Sequence, residues 1–198
     1  MSNPNPSRRA FVAGLSAAAL IASMGPALAI SADQAKARIQ KVIDDIQRII
    51  NSGKSESRML KDFEDIFSTY GDVKIIGQLV LGADGRSASA AQKAAFAEAF
   101  KIYISHKYGR RFREFIGGRI EIGQSRKVKR FYEVETTTIF KGQAPFEVIY
   151  VVDEKTGRFI DMKIEGISLI KSERAEIGAM LDKRGGNLDK LIADLRKM

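Results

Sequence analysis

The residue pattern predicts an α+β fold. N-terminal helices and a long helix would pack on a curved antiparallel sheet of about four strands, with C-terminal helices, enclosing an apolar pocket. Three observations lead there. Apolar residues recur at three- and four-residue spacing up to Gly117-Gly118. The period then falls to two through several short runs, and helical spacing returns at the end. Helices, then a strand run, then helices is the order of an α+β domain with helices on one face of the sheet.

The elements follow in turn. Residues 1–29 stand apart: Arg8 and Arg9 are the only charges, an Ala-rich apolar run extends from Ala10 to Met24, and Gly25-Pro26 precedes Ala27-Leu28-Ala29. This layout is that of a cleaved export signal. Ser7-Arg8-Arg9-Ala10-Phe11-Val12 resembles the twin-arginine motif, with an ordinary Sec signal as the alternative. The run of about 15 residues is shorter than the roughly 20 that span a bilayer. Residues 30–198 are expected to form one domain.

From Ile30 to Asn51, Ala35, Ile39, Val42, Ile43, Ile46, Ile49 and Ile50 make one helical face, closed by Asn51-Ser52-Gly53. Phe63, Ile66, Phe67 and Tyr70 mark a second helix; Ile75, Ile76, Leu79 and Val80 mark a third. Gly82 to Arg86 is a loop. Ser87 or Ser89 then caps the long helix, whose stripe runs through Phe96, Phe100, Tyr103, Ile104, Tyr108, Phe112 and Phe115. Gly109 is a place for it to bend or break.

Strands are expected at Arg119–Gly123, Lys127–Phe140 and Phe146–Val152. The second would carry Tyr132, Val134, Thr136, Thr138 and Phe140 inward, with Glu133, Glu135 and Thr137 on a wet face. Asp153 to Gly157 is a hairpin turn. Ile160, Met162 and Ile164 alternate with Asp161, Lys163 and Glu165. Gly166 signals a bulge or bend, and Ile167 to Ile170 would resume the strand. Helices near Ser172–Lys183 and Leu188–Arg196, split by Gly185-Gly186-Asn187, close the chain.

The composition excludes much chemistry. The chain has 198 residues, no Cys, no Trp and one His. Without Cys there is no disulfide, thiolate metal site or thiol nucleophile. A single His rules out a multi-His zinc site. No phosphate-cradling glycine loop and no G-x-S-x-G elbow is present. The formal charge is +9, and removal of Arg8 and Arg9 with the signal leaves +7 on 169 residues. An exported protein meets no nucleic acid, so that charge suits an acidic protein or anionic lipid head groups. It concentrates in Arg110-Arg111-x-Arg113, Arg119 and Arg126-Lys127-x-Lys129-Arg130; such runs are most often simply solvated. No metal or cofactor is expected. His106 reads as a solvated helix residue, and Asp161 with Glu165 as a solvated strand face. An acid–base role for His106 would need a carboxylate from elsewhere in the fold.

The order of several segments resembles the MlaC-type phospholipid carriers, also called Ttg-type toluene-tolerance auxiliary components. Leu79-Val80-Leu81-Gly82, followed by Ser89-Ala90-Ala91-Gln92-x-x-x-Phe96-x-x-x-Phe100, is similar to that family's LG…T-x-x-Q-x-x-x-F-x-x-x-F segment. Tyr108, Val134-Glu135-Thr136 and Phe146-x-Val148-x-Tyr150 fall where the family has comparable residues. Asp161 to Ile170, followed by Arg174, is the most specific match, and Gly186 to Ile192 resembles the terminal helix. The resemblance spans about residues 35–195. The chain departs from it in lacking Trp near Asp84-Gly85 and at Gly157, and in carrying Ser172-Glu173 where an Asn-Tyr pair is common.

The resemblance implies a non-enzymatic periplasmic lipid carrier, with residues 30–198 as the carrier domain. It would take phospholipid by its acyl chains, between an outer-membrane lipoprotein complex and an inner-membrane ABC transporter with an MCE-domain ring. A close branch of the family, associated with hopanoids, is the alternative cargo class. From another class, a small cone-shaped α+β enzyme using His106 is the rival. The expected lipid-binding face joins the long helix to the even-numbered strand positions. It comprises Leu79, Phe96, Phe100, Tyr103, Ile104, Tyr108, Val134, Thr136, Val148, Tyr150, Val152, Ile160, Met162 and Ile164.

Overall fold

A computed structural model describes residues 29–111 and 116–198. Residues 1–28 of the expected export signal and the Phe112 and Phe115 part of the long-helix stripe lie outside the described residues. Among the described residues six α-helices pack with a five-stranded sheet of order β1-β2-β3-β4-β5, antiparallel throughout. The α+β class and the meander are as the periodicity predicts.

The helices are α1 (Ala32–Ile50), α2 (Glu56–Tyr70), α3 (Val73–Leu81), α4 (Ala90–Gly109), α5 (Leu169–Asp182) and α6 (Leu188–Leu195). Ser31 opens α1 with a reciprocal capping box: its hydroxyl accepts from Gln34 N at 3.2 Å, and its own N–H donates to Gln34 Oε1 at 2.8 Å. All seven apolar residues of the predicted α1 face are buried. Ser89, rather than Ser87, caps α4 in the same way with Gln92. Gln92 Nε2 also donates to the Asp189 carboxylate, at 3.1 and 3.2 Å to its two oxygens, which fastens α6 to the start of α4.

α4 is buried on several faces, because α2, α3 and α6 all pack on it. Gly77 lets α3 approach closely: a Cβ there would lie 2.9 Å from Ala97 Cβ. α1 lies along β1 and β2, whereas α3 and α5 meet β4.

The strands are β1 (Arg119–Val128), β2 (Phe131–Ile139), β3 (Phe146–Asp153), β4 (Phe159–Ile164) and β5 (Ile167–Ser168). The sheet departs from the sequence reading in several places. The break between the first two strands falls at Lys129-Arg130, not near residue 125. Lys129 takes φ 56° in a two-residue turn that pairs Val128 with Phe131. No Gly or Asn marks that turn, so the strand pattern ran through it. Glu165 and Gly166, at φ 49° and 77°, form the tight β4–β5 turn, and the chain enters α5 at Leu169 instead of continuing as a strand. Ser168 is the reason, since its hydroxyl accepts from Lys171 N and caps the helix.

Two further departures concern carboxylates expected to be solvated. Glu133 is only 6% exposed and pairs with Lys163 at 2.5 Å and Arg126 at 2.7 Å. Asp161 is a three-way acceptor, from Met162 N (2.8 Å), Ile170 N (3.0 Å) and the Ser168 hydroxyl (2.6 Å). It therefore ties β4 to the start of α5.

Register irregularities interrupt two strand pairs: at Gly123-Gln124 in β1, and at Ile160, where Val151 pairs Asp161 but Val152 pairs Phe159. Such bulges bend a strand and change which residues face inward. Phe159 and Ile160 are thus both buried, so the inward set of β4 is not a simple even-numbered series.

Candidate functional site

Two adjoining apolar cavities lie between the helices and the sheet. The larger, about 70 Å³, is bounded by Val42 and Ile46 of α1, by Phe63, Ile66 and Phe67 of α2, and by Ile104, Ser105 and Tyr108 of α4. Tyr150 of β3 and Phe159 and Met162 of β4 close it from the sheet side. The smaller, about 10 Å³, shares the walls Phe67, Ile104, Phe159 and Met162. Ile76, Phe100, Ile160, Asp161, Leu169, Ile170 and Glu173 complete it.

Aromatic packing shapes these walls. Phe159 meets Phe67 nearly edge-on at 5.4 Å between ring centres, and Tyr150 at 5.9 Å. Burial pushes the Tyr150 phenol up to about 12, so it is neutral at any physiological pH. The start of β4 is pinned to the end of α2. Asp72 N donates to Phe159 O at 2.9 Å, and Arg158 Nη1 donates to Ser68 O and Gly71 O at 2.8 and 2.9 Å.

Of the fourteen residues expected to bind lipid, the structure places Phe100, Ile104, Tyr108, Tyr150, Ile160 and Met162 on the cavity walls. Phe96, Val134 and Val152 are fully buried in the core and border neither cavity. Thr136 is buried, and its hydroxyl donates to Val148 O at 2.7 Å. Val148 and Ile164 face each other across β3 and β4, half-buried. Tyr103 turns toward α5 and donates to Glu176 at 2.8 Å. Leu79 packs at the core margin, and its carbonyl accepts from Arg174.

The sequence reading missed the α1 and α2 walls and Phe159. The helix stripes carried the right residues, but periodicity shows which face is buried, not what it faces. For Phe159 no sequence signal existed, because the bulge that turns it inward is set by pairing with β3.

A polar network borders the smaller cavity. Glu173 Oε1 accepts from Lys107 Nζ and from the Tyr108 hydroxyl, each at 2.9 Å, while Lys107 also pairs with Glu176. Burial alone would lower the Lys107 ammonium, but hydrogen bonds to Glu176 and Glu173 outweigh it and hold the pKa well above the usual lysine value. Lys107's hydrogen bond lowers the Glu176 carboxyl, against an opposing burial effect. Burial raises both Tyr103 and Tyr108.

His106 does find a carboxylate: its Nε2 lies 3.1 Å from Glu64 Oε1, and Glu64 also pairs with Lys61 at 2.9 Å. That pair joins α4 to α2 and borders neither cavity. Among the described residues no three acidic or imidazole side chains cluster as metal ligands, and no helix is long and apolar enough to cross a membrane. Much of the basic run is partnered: Arg119 with Glu121, Arg126 with Glu133, Lys127 with Glu154, and Arg110 with the Met198 carbonyl.

Fold and site together define an α+β protein whose helices close an apolar cavity against an antiparallel meander. The chain belongs to the MlaC family, whose model matches residues 40–197. Its fold is similar to that of the phospholipid-binding protein from Ralstonia solanacearum, whose structure was solved in complex with a phospholipid. The TM-score is 0.66 at 19% identity, with 81% of this chain and 98% of the other covered.

Proposed function

We propose that this protein is a periplasmic phospholipid carrier that shelters acyl chains between α1, α2 and α4 and the inner face of β3 and β4. The observation that carries this reading is the pair of apolar cavities at that junction, in a chain of the MlaC family. The phospholipid complex of the Ralstonia protein, which shares the fold, supports it.

The physical need is for shelter. Each CH₂ exposed to water costs about 0.8 kcal/mol, so two chains of about sixteen carbons cost on the order of 25 kcal/mol. Walls of Phe, Ile, Val and Met remove most of that, and no bond need be made or broken. Ligand cavities typically reach about 300–1,000 Å³. At about 70 Å³ the larger cavity is far below this, so the helical and sheet walls must part to admit a chain. Nondirectional apolar contacts allow such parting at modest cost. The Arg158 and Asp72 hydrogen bonds tie the start of β4 to the end of α2, so in this reading the walls part elsewhere.

In this reading the carrier shuttles between an outer-membrane lipoprotein complex and an inner-membrane MCE-domain ABC transporter. Cargo transfer requires each partner to favour the opened state. The Lys and Arg excess offers an acidic docking site a complementary surface.

The test is extraction of the purified mature protein with organic solvent and identification of the lipids by mass spectrometry. Phospholipid in about equimolar amount is expected. Hopanoid instead would reassign the cargo, and lipid-free protein that takes up none would sink the carrier. Native mass spectrometry of folded Tyr150→Glu and Met162→Lys variants, both on the cavity walls, should show no bound lipid; retention in both would move the site elsewhere.

A further inference from the structure

One group in the cavity walls is not explained by apolar cargo. Glu173, 1% exposed, borders the smaller cavity beside Phe67, Phe100, Ile104 and Met162. Its Oε1 has two donors, Lys107 and Tyr108. Its Oε2 is buried and has no hydrogen-bond partner among the described residues. Lys107 does not require both oxygens, since Glu176 serves it as well. A second unpartnered polar atom, Ser105 Oγ, is buried on the wall of the larger cavity. A buried acceptor left without a donor is destabilising, and an apolar residue of similar shape would avoid that cost.

We propose that Glu173 is a specificity-determining residue: its free carboxylate oxygen accepts a hydrogen bond from a hydroxyl carried on the apolar body of a lipid. The ligand class is a hydroxylated acyl lipid. Counting donors distinguishes this from a head-group ammonium. An ammonium brings three donors and a full charge into walls that offer one free carboxylate oxygen, so it stays poorly solvated. A hydroxyl brings one donor and no charge. The two cavities share Phe67, Ile104, Phe159 and Met162, so displacing those side chains joins them. Glu173 and Ser105 then line one chamber.

This inference rests on the carrier reading, and the two fail differently. Lipid-depleted mature protein is titrated with two phosphatidylglycerols, alike except that one bears a hydroxystearoyl chain and the other a plain stearoyl chain. Wild type should bind the hydroxylated lipid about tenfold tighter, as a hydrogen bond to a charged acceptor allows. Glu173→Leu should abolish the preference, read as the ratio of the two affinities measured on the same variant. Glu173→Gln, which keeps an oxygen for Lys107 and Tyr108, guards against misfolding of the leucine variant and should reduce the ratio to a few-fold. Equal affinities in wild type, or a ratio unchanged in both variants, would overturn the proposal. So would a Glu173-dependent preference for phosphatidylethanolamine over phosphatidylcholine, which would assign the oxygen to a head-group ammonium. Binding of neither phosphatidylglycerol defeats the carrier reading and this inference with it.

Discussion

Replacing Phe159 by alanine probes the cavity walls and the core at once. Phe159 is 3% exposed, borders both cavities and packs its ring against Phe67 and Tyr150. Truncation of a buried Phe costs about 3–5 kcal/mol, rising with the volume that stays empty. Here the walls already leave about 70 and 10 Å³ on either side, so the neighbourhood has little to collapse onto. A loss of about 4 kcal/mol is therefore expected. In a domain of this size it corresponds to a fall in Tm of about 8–16 °C. Urea unfolding of lipid-free protein should show a lower midpoint with an unchanged slope. Phospholipid at a fixed concentration of about 100 times the wild-type Kd adds about 2.7 kcal/mol to the wild type if it binds only the folded state. Filling the enlarged cavity should make the gain greater in Phe159→Ala than in wild type. A loss under about 1 kcal/mol without lipid would show that Phe159 is not a packed wall residue. Equal stabilisation of both proteins by lipid would show that the ligand does not occupy this space.

Three further outcomes follow from the same geometry. Lys163's hydrogen bond, reinforced by Arg126, holds the Glu133 carboxyl below its ordinary value of 4.5. Its stabilisation is thus complete above that value and is lost as pH falls through the lower folded value. Glu133→Gln should cost about 2 kcal/mol at neutral pH and flatten the acid limb below the ordinary carboxyl value, read by urea midpoints across pH. Gly77→Ala places a Cβ 2.9 Å from Ala97 Cβ and 3.0 Å from its Cα, so overpacking should outweigh the better helix propensity. Thermal melts should report a net loss of about 1–2 kcal/mol. Asp161→Asn leaves one acceptor oxygen for the three donors Met162 N, Ile170 N and the Ser168 hydroxyl. Chemical denaturation should show about 1.5–3 kcal/mol lost, with faster amide exchange at the first turn of α5.

Local signals were legible wherever one short segment decides its own state. The α1 stripe from Ala35 to Ile50, the Ser89–Gln92 capping box and the alternation through Tyr132, Val134 and Thr136 needed no partner to be recognised. Half of β1 was misassigned because Lys129-Arg130 turns without a turn residue. Ser168 took Leu169 and Ile170 into a helix although they alternate like a strand. In both places a non-local or capping interaction outweighed propensity.

The sequence by itself determined the α+β class, the chain order of helices and strands, and the composition that leaves thiol and multi-His metal chemistry out. Periodicity and residue counts are properties of a chain, so they survive without a structure. Only the tertiary structure decided which buried faces enclose space. It brought Val42, Phe63 and Ser105 opposite Tyr150, turned Phe159 inward through a bulge, and left Glu173 with one oxygen unpartnered beside the cavity. Apolar residues that pack solidly and apolar residues that line a cavity have the same chemistry. What separates them is how well their neighbours fill the gap, and those neighbours come from distant parts of the chain.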